Sequence, residues 1–458
     1  MLFALIIFAV GSRSYNKLPP SRSNVAFQLL SCGMTAIRKK WKGEKTLVNG
    51  DWISLASPEH SQSTIQSLRS FLSVSVVFAP IVLFWALFDQ KGSTWILLAR
   101  SLNYRMGRLN VIPEQINFLN PLLILILVPI FEGIVYPLAR KIVNVTPLRK
   151  MAMGGILTAL SFIMCGLIQL EADKDRPPII SPHQNVVHYF NNESRILKLS
   201  DGIVDRNILM TALSPNELEG GKIILSGVNA SSREGEGGGI VFSKKEGITH
   251  FCNFHNKKAI DGSKLLFMSA ISNVTIRSSN SFLISRSFEK CESLDLPSTL
   301  SHLIVEWACP NKSQCKSKWF GTGIGSVQAI HIHASDVNTK ILVESNQLSI
   351  VWMFPQYVVI TMGEVMLSVT GMEFAYSQST PSIKTVMQAL WLMTVFLGNV
   401  IDAIISGSHF VSSAAHEFFL YAGLMLTVMI FFIISATNYQ YRSVNNCEIN
   451  NIEMEDTK

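Results

Sequence analysis

Charge is what this sequence has least of. Asp, Glu, Lys and Arg make up 16% of its 458 residues, where ordinary globular domains carry about a quarter. With 48% apolar residues gathered into a few long runs, that scarcity excludes an ordinary soluble domain and indicates a membrane protein. The formal charge of +7 is modest. Its basic residues cluster in particular loops, so they read as topology signals and imply no nucleic-acid partner. Phosphate-loop, nucleophile-elbow and zinc-protease motifs are absent, so the chain does not read as an enzyme. No cofactor or metal set is indicated; His331 and His333 read as a solvated pair. The first residues also lack a full span. The apolar run 1–10 is too short for a bilayer, which needs about 20 residues. It has neither a basic region before it nor a small-residue cleavage site. It reads as the remnant of a transmembrane helix whose start is missing.

Six segments are long and apolar enough to span, near 71–90, 117–138, 151–171, 350–370, 386–406 and 417–436. The segment 11–70 holds Arg13, Lys17, Arg22, Arg38, Lys39, Lys40, Lys42, Lys45 and Arg69 and is expected in the cytosol as a linker. The short loop 139–150, with Arg140, Lys141, Arg149 and Lys150, is expected there too. Lys91, Arg100, Arg105 and Arg108 then fall outside, against the rule. The domains that follow are a first triplet of helices at 71–171, an outside block at 172–348, a second triplet at 349–436 and a cytosolic tail at 437–458. Two triplets of opposite starting side are the repeat pattern within each half of major-facilitator transporters.

The outside block carries four glycosylation sequons, at Asn192, Asn229, Asn273 and Asn311. Four of the seven cysteines, Cys252, Cys291, Cys309 and Cys315, share it and allow three disulfide connectivities. Short β-type runs alternate with Gly, Asn and Ser turns. An all-β extracellular domain is expected, as two sandwiches split near 262.

Acids inside hydrocarbon are expensive and by default functional. Glu364 sits mid-helix, where a carboxylate binds a cationic amine or carries a proton; the other reading is a structural acid bonded within the bundle. Glu132 lies between Pro129 and Pro137, which break regular hydrogen bonding. It reads as a gating or proton-relay group, or as half of a structural ion pair. Trp85 and Trp391 read as an aromatic wall for a substrate or as interfacial belt residues. Asn120 binds a backbone amide or links two helices.

Together these residues resemble a family. Phe84–Gln90 (FWALFDQ), the stretch from Asn120 to Pro137, Gln356-Tyr357 through Gly363-Glu364, and Thr370–Gln378 (TGMEFAYSQ) are similar to the proton-dependent oligopeptide transporters (POT/PTR), especially the animal intestinal and renal type. A large outside domain between helices nine and ten is typical of animal members. The resemblance implies a carboxy-terminal half, from the end of helix six to helix twelve. It implies that Trp85, Asn120, Glu364 and Trp391 bind substrate, with Glu364 receiving the peptide's amino terminus. It implies proton coupling or gating at Glu132 and Glu364. In animal members the Glu132 position pairs with an arginine on helix seven; the matching residue here is Ser73, one turn from Arg69. The family's helix-one Glu-x-x-Glu-Arg motif and helix-two histidine are not in the chain.

The expected fold is therefore an all-α polytopic six-helix bundle of major-facilitator type with an inserted all-β domain. The expected function is proton-coupled symport of di- and tripeptides by alternating access in a full-length parent, in the plasma membrane. Protons are the coupling ion, and the missing amino-terminal bundle is supplied in cis or in trans. The alternatives are a non-transporting receptor or scaffold displaying the β domain, and a same-fold carrier of another solute such as nitrate.

Overall fold

The computed structural model describes residues 2–11, 25–43, 51–57, 59–106, 109–174, 337–405 and 413–441, and within 175–336 the strands and turns named below. Its helices are α1 (Leu2–Gly11), α2 (Val25–Trp41), α3 (Gln62–Phe88), α4 (Thr94–Arg100), α5 (Leu119–Ile130), α6 (Tyr136–Arg140), α7 (Pro147–Lys174), α8 (Phe354–Glu364), α9 (Thr370–Ser377), α10 (Lys384–Ile405) and α11 (Ala414–Thr437). They form six runs long and apolar enough to cross a membrane: Gln62–Arg100, Pro113–Arg140, Pro147–Lys174, Ile350–Ser377, Pro381–Ile405 and Ala414–Thr437. All six expected spans are present.

The first span extends past its hydropathic core at both ends. Ser61 opens α3 ahead of the apolar run, its hydroxyl accepting from the Thr64 amide, as an N-cap does. At the other end a 3-10 turn, Asp89–Gly92, leads into α4. Three basic residues that offend the positive-inside pattern are matched locally. Lys91 faces Glu364, Arg100 pairs with Glu114, and Arg105 is held by backbone carbonyls. A compensated cation is a weak topology signal.

α2 falls within the segment read as a basic linker. Its Leu29, Cys32 and Ala36 are buried, at the 3- and 4-residue spacing of one helix face, and it packs on α3. Lys39 reaches Glu59 at 2.8 Å. Its exposed face is apolar as well, at Phe27, Leu30, Met34 and Ile37, so the buried face does not stand out in the sequence.

Two spans contain π turns: Phe131–Val135, between Pro129 and Pro137 of the second span, and Val365–Val369, directly after Glu364. The turns meet, with Phe131, Tyr136 and Val365 in one buried cluster. Such turns occur mostly at functional sites.

Lipid is as apolar as leucine, so helices in a bilayer associate through close packing of small residues. α7 packs against α8 and α11, and α10 and α11 against α3. Two glycines bring backbone against backbone, Gly154 on α7 and Gly363 on α8. A Cβ added at either glycine would lie 2.6 Å from the other's carbonyl oxygen.

Between α7 and α8 lies the β insert. A two-stranded hairpin, β1 (Arg105–Met106) and β2 (Leu109–Asn110), precedes it in the chain. The insert's strands are β3 (Gln184–Asn191), β4 (Leu197–Ser200), β5 (Asp205–Ile208), β6 (Glu219–Ser226), β7 (Gly238–Phe242), β8 (Thr249–Asn253), β9 (Gly262–Ser269), β10 (Thr275–Ser278), β11 (Leu283–Ser285), β12 (Cys291–Pro297), β13 (His302–Trp307), β14 (Lys316–Gly321), β15 (Val327–Ile332) and β16 (Val337–Val343). Sheet β6-β3-β7-β8 and the pair β4-β5 use strands before residue 254. Sheets β12-β9-β15-β16 and β11-β10-β13-β14 use strands from 262 onward. The latter two share a core of Leu265, Phe267, Ile276, Val305, Trp307 and Ile330, the interior of a sandwich. β13 alternates strictly, burying Leu303, Val305 and Trp307. The sequon residues Asn192, Asn229, Asn273 and Asn311 lie outside the described residues, as do Cys309 and Cys315 and the side chains of Cys252 and Cys291.

This sandwich is fastened to the helical bundle. The Arg105 guanidinium donates to the carbonyls of Ser298, Leu300 and Thr322, at 2.7, 3.0 and 2.9 Å. Asn346 donates to the Leu102 carbonyl, and Asn103 exchanges backbone bonds with Leu348 and Ile350. Hydrogen bonds from a charged donor contribute about 2 kcal/mol each. Arg105→Ala is expected to raise amide exchange around residues 298–300 and 322 by about 30-fold, the equivalent of one such bond at 1.4 kcal/mol per tenfold. Unchanged exchange there would show that the other contacts hold the sandwich alone.

Candidate functional site

Glu364 closes α8 at the middle of its span, Ile350–Ser377. Tyr357, Thr361 and Glu364 stand four and three residues apart, so they share one helix face. Asn117 and Asn120, three apart, face them from the second span. Tyr357 donates its hydroxyl to Asn117 Oδ1 at 2.7 Å. Thr361 Oγ1 lies 2.8 Å from Asn120 Oδ1 and 2.6 Å from the Tyr357 carbonyl oxygen, its one proton serving either acceptor. Asn120 Nδ2 donates to Glu364 Oε2 at 2.9 Å. With its carbonyl engaged by Thr361, Asn120 must present its NH2 to Glu364. The amide thus works as an oriented donor to a carboxylate.

Lys91 completes the group. Its Nζ lies 3.5 Å from the same Glu364 Oε2, and both side chains are 17% exposed. The same ammonium stands 3.8 Å from the centroid of the Phe88 ring, within cation–π range. Asp89 is close enough to feel the charges of Lys91, Asp402 and Glu364. Gln90, fully buried, donates to Asp402 Oδ1 at 2.6 Å and so ties α3's end to α10.

The two tryptophans sit beside this polar group, in the core of the bundle. Trp85 and Trp391 are 6% and 2% exposed. Their rings meet edge to face at 6.1 Å, and Trp85 packs on Phe88 at 5.5 Å. A continuous line of contacts therefore runs Glu364–Lys91–Phe88–Trp85–Trp391. Glycines seat both indoles: a Cβ at Gly371 would strike the Trp391 ring, and one at Gly398 would strike Trp85 Cβ. Trp85 Nε1 is buried without an acceptor among the described residues, a donor that gains if a ligand oxygen reaches it.

Glu132 is not brought to this group. It lies exposed on the first π turn, and among the described residues no cation pairs with it. Arg69 pairs with Asp51, and Ser73 bonds back to the Arg69 carbonyl. Sequence reasoning passed over Lys91, taken as a loop cation, and Asn117. The signal for Asn117 was its three-residue spacing from Asn120. For Lys91 the signal was a charge matched by no loop acid.

The description "PTR2: POT family" matches residues 1–201 and 323–418 of the chain. Peptide transporter 3 of Caenorhabditis elegans is 37% identical over 99% of this chain and 69% of its own length. Solute carrier family 15 member 1 of Homo sapiens is 29% identical over 98% of this chain and 66% of its own. The chain thus spans about two-thirds of the length of the curated relatives it matches. A solved structure of the POT family transporter PepTSo aligns with a TM-score of 0.47 at 19% identity, covering 96% of this chain and 63% of that one. The family match over more than half of the chain, and a relative of that identity along nearly all of it, place the chain in the POT family of secondary active transporters.

Proposed function

We propose that this chain provides one side of the substrate site of a proton-coupled carrier of di- and tripeptides, working by alternating access. The observation that carries the proposal is Glu364: an acid at mid-span, oriented by Asn120 and only partly exposed. A carboxylate so placed binds the ammonium of a peptide or takes a proton in its stead. Trp85 and Trp391 form the apolar wall beside it, and Asn120 is the amide that meets a peptide backbone. The proton-relay role of Glu132 belongs to the face turned away from this site.

Two spans support a second bundle. Only 17% of the 18-residue apolar stretch within Pro113–Arg140, and of that within Pro381–Ile405, is buried, against 39–50% of the corresponding stretch in the other four. Their exposed residues include Glu132, Gln388 and Asn399. Polar groups facing lipid are costly, so a protein or aqueous face suits them better. An amino-terminal bundle, in cis or in trans, fits that face. The plasma membrane is the expected location, with the β insert outside the cell.

The test is uptake of a labelled dipeptide by cells expressing the complete transcript's product. The expected result is uptake that rises when the outside is acidified and that is competed by di- and tripeptides. Competition by nitrate with none by dipeptide would assign the fold another cargo. No acid-driven uptake of either solute would favour a receptor or scaffold.

A further inference from the structure

We propose that Lys91 is a tethered counter-ion that occupies Glu364 in the unloaded site, so that the amino group of an incoming substrate binds by displacing it. The inference rests on reading Glu364 as the receptor for that amine. It goes further by making the amine site one that the protein fills with its own ammonium.

Three features of the geometry carry the proposal. First, the two donors on Glu364 Oε2 are unequal. Asn120 binds it at 2.9 Å, whereas Lys91 approaches only to 3.5 Å. The amide is a fixed partner and the ammonium a loose one. Second, Lys91 has somewhere else to go. Its Nζ already rests on the Phe88 ring at 3.8 Å, and Asp89 also acts on it electrostatically. A lysine pushed off Glu364 keeps an aromatic face and a second carboxylate within reach, so its release strands no bare charge. Third, the tether is short and its anchor is rigid. Lys91 sits in the 3-10 turn Asp89–Gly92, which the buried Gln90 locks to Asp402. The charges acting on Lys91 are Glu364 from α8 and Asp89 from its own turn, while Asp402 on α10 acts on Asp89.

A lysine ammonium and a peptide amino terminus are the same chemical group, so they compete for one oxygen. Two consequences follow. The empty site stays neutral as a pair until a substrate amine or a proton takes the place of Lys91. A substrate without a free amine does not need to evict Lys91, so the tether narrows the advantage that free-amine substrates would otherwise have.

The experiment has two readouts. The first uses this chain in membranes and does not depend on transport. A hydrophobic carbodiimide labels protonated carboxyls and spares ionised ones. Modification at Glu364, located by peptide mass, is expected to be several-fold greater in Lys91→Gln than in the wild type at neutral pH, and to return to the wild-type level in Lys91→Arg. Equal labelling in all three would overturn the counter-ion. The second compares uptake of a free-amine dipeptide with its N-acetyl form by the complete protein. Lys91→Gln is expected to lower KM several-fold for the free-amine form alone. Raised labelling with an unchanged ratio of the two KM values would overturn the competition. If the wild type takes up neither peptide, the transport reading fails, and labelling still decides whether Lys91 holds Glu364 ionised.

Discussion

Replacing Glu364 with glutamine is expected to abolish the proposed acid-driven dipeptide uptake by the complete carrier while the protein still reaches the membrane. Glutamine keeps the length of the side chain and an oxygen that can accept from Asn120 Nδ2, so the α5–α8 contact at 2.9 Å survives. What disappears is the negative charge. A hydrogen bond to a charged group contributes up to about 3 kcal/mol, against about 1 for a neutral pair, and the difference of about 2 kcal/mol corresponds to roughly 30-fold in affinity. The variant also leaves Lys91 facing a neutral amide. Lys91 then repels the amine that Glu364 should attract, so both changes act in one direction. Uptake is expected to fall by at least about 30-fold, with surface labelling near normal. Normal uptake in Glu364→Gln would remove the carboxylate from the site and leave the two tryptophans without a polar partner.

The second large effect comes from a residue that touches no substrate. Gly154→Leu is expected to collapse both the yield of folded protein and its thermal stability in detergent. A Cβ at Gly154 meets the Gly363 carbonyl oxygen at 2.6 Å, the Leu367 amide nitrogen at 3.0 Å and Met366 Cβ at 3.1 Å. Two of the three are backbone atoms, which cannot rotate away as a side chain can. Overpacking of this kind typically costs about 1–3 kcal/mol even where side chains relieve it, and here the helices themselves must part. Gly363 immediately precedes Glu364, so any separation of α7 from α8 also moves the carboxylate. Gly423→Leu on α11 is the control, since a Cβ there meets nothing within 4 Å. Similar melting temperatures for the two variants would show that the α7–α8 approach is slack.

Much of the fold was legible because the bilayer imposes one simple rule. A span must be long, apolar and internally hydrogen-bonded, and each of the six runs announces itself by length and hydropathy. The β insert was legible from period-two runs such as Leu303–Trp307, which the sandwich buries on alternate residues. α2 was not, because a helix lying along a bundle needs only three small contacts, Leu29, Cys32 and Ala36. The π turns were not, because one extra residue in a helical turn leaves no compositional trace. Pro129 and Pro137 marked only the neighbourhood of the first.

The site divides along the same line. Sequence by itself determined that a carboxylate, Glu364, lies in the middle of a long apolar run, where an acid is by default functional. It also determined that two tryptophans and an asparagine lie in nearby spans. Only the tertiary structure decided which of them meet. Asn120 turns its amide to Glu364 because Thr361 holds its carbonyl. Trp85 and Trp391 join because glycines on other helices make room for them. Lys91, distant in sequence and unremarkable in composition, faces the acid because a 3-10 turn bends the end of α3 toward α8. Helical periodicity sets which face a residue occupies. Which faces come together depends on packing between segments hundreds of residues apart, and a linear pattern does not carry that information.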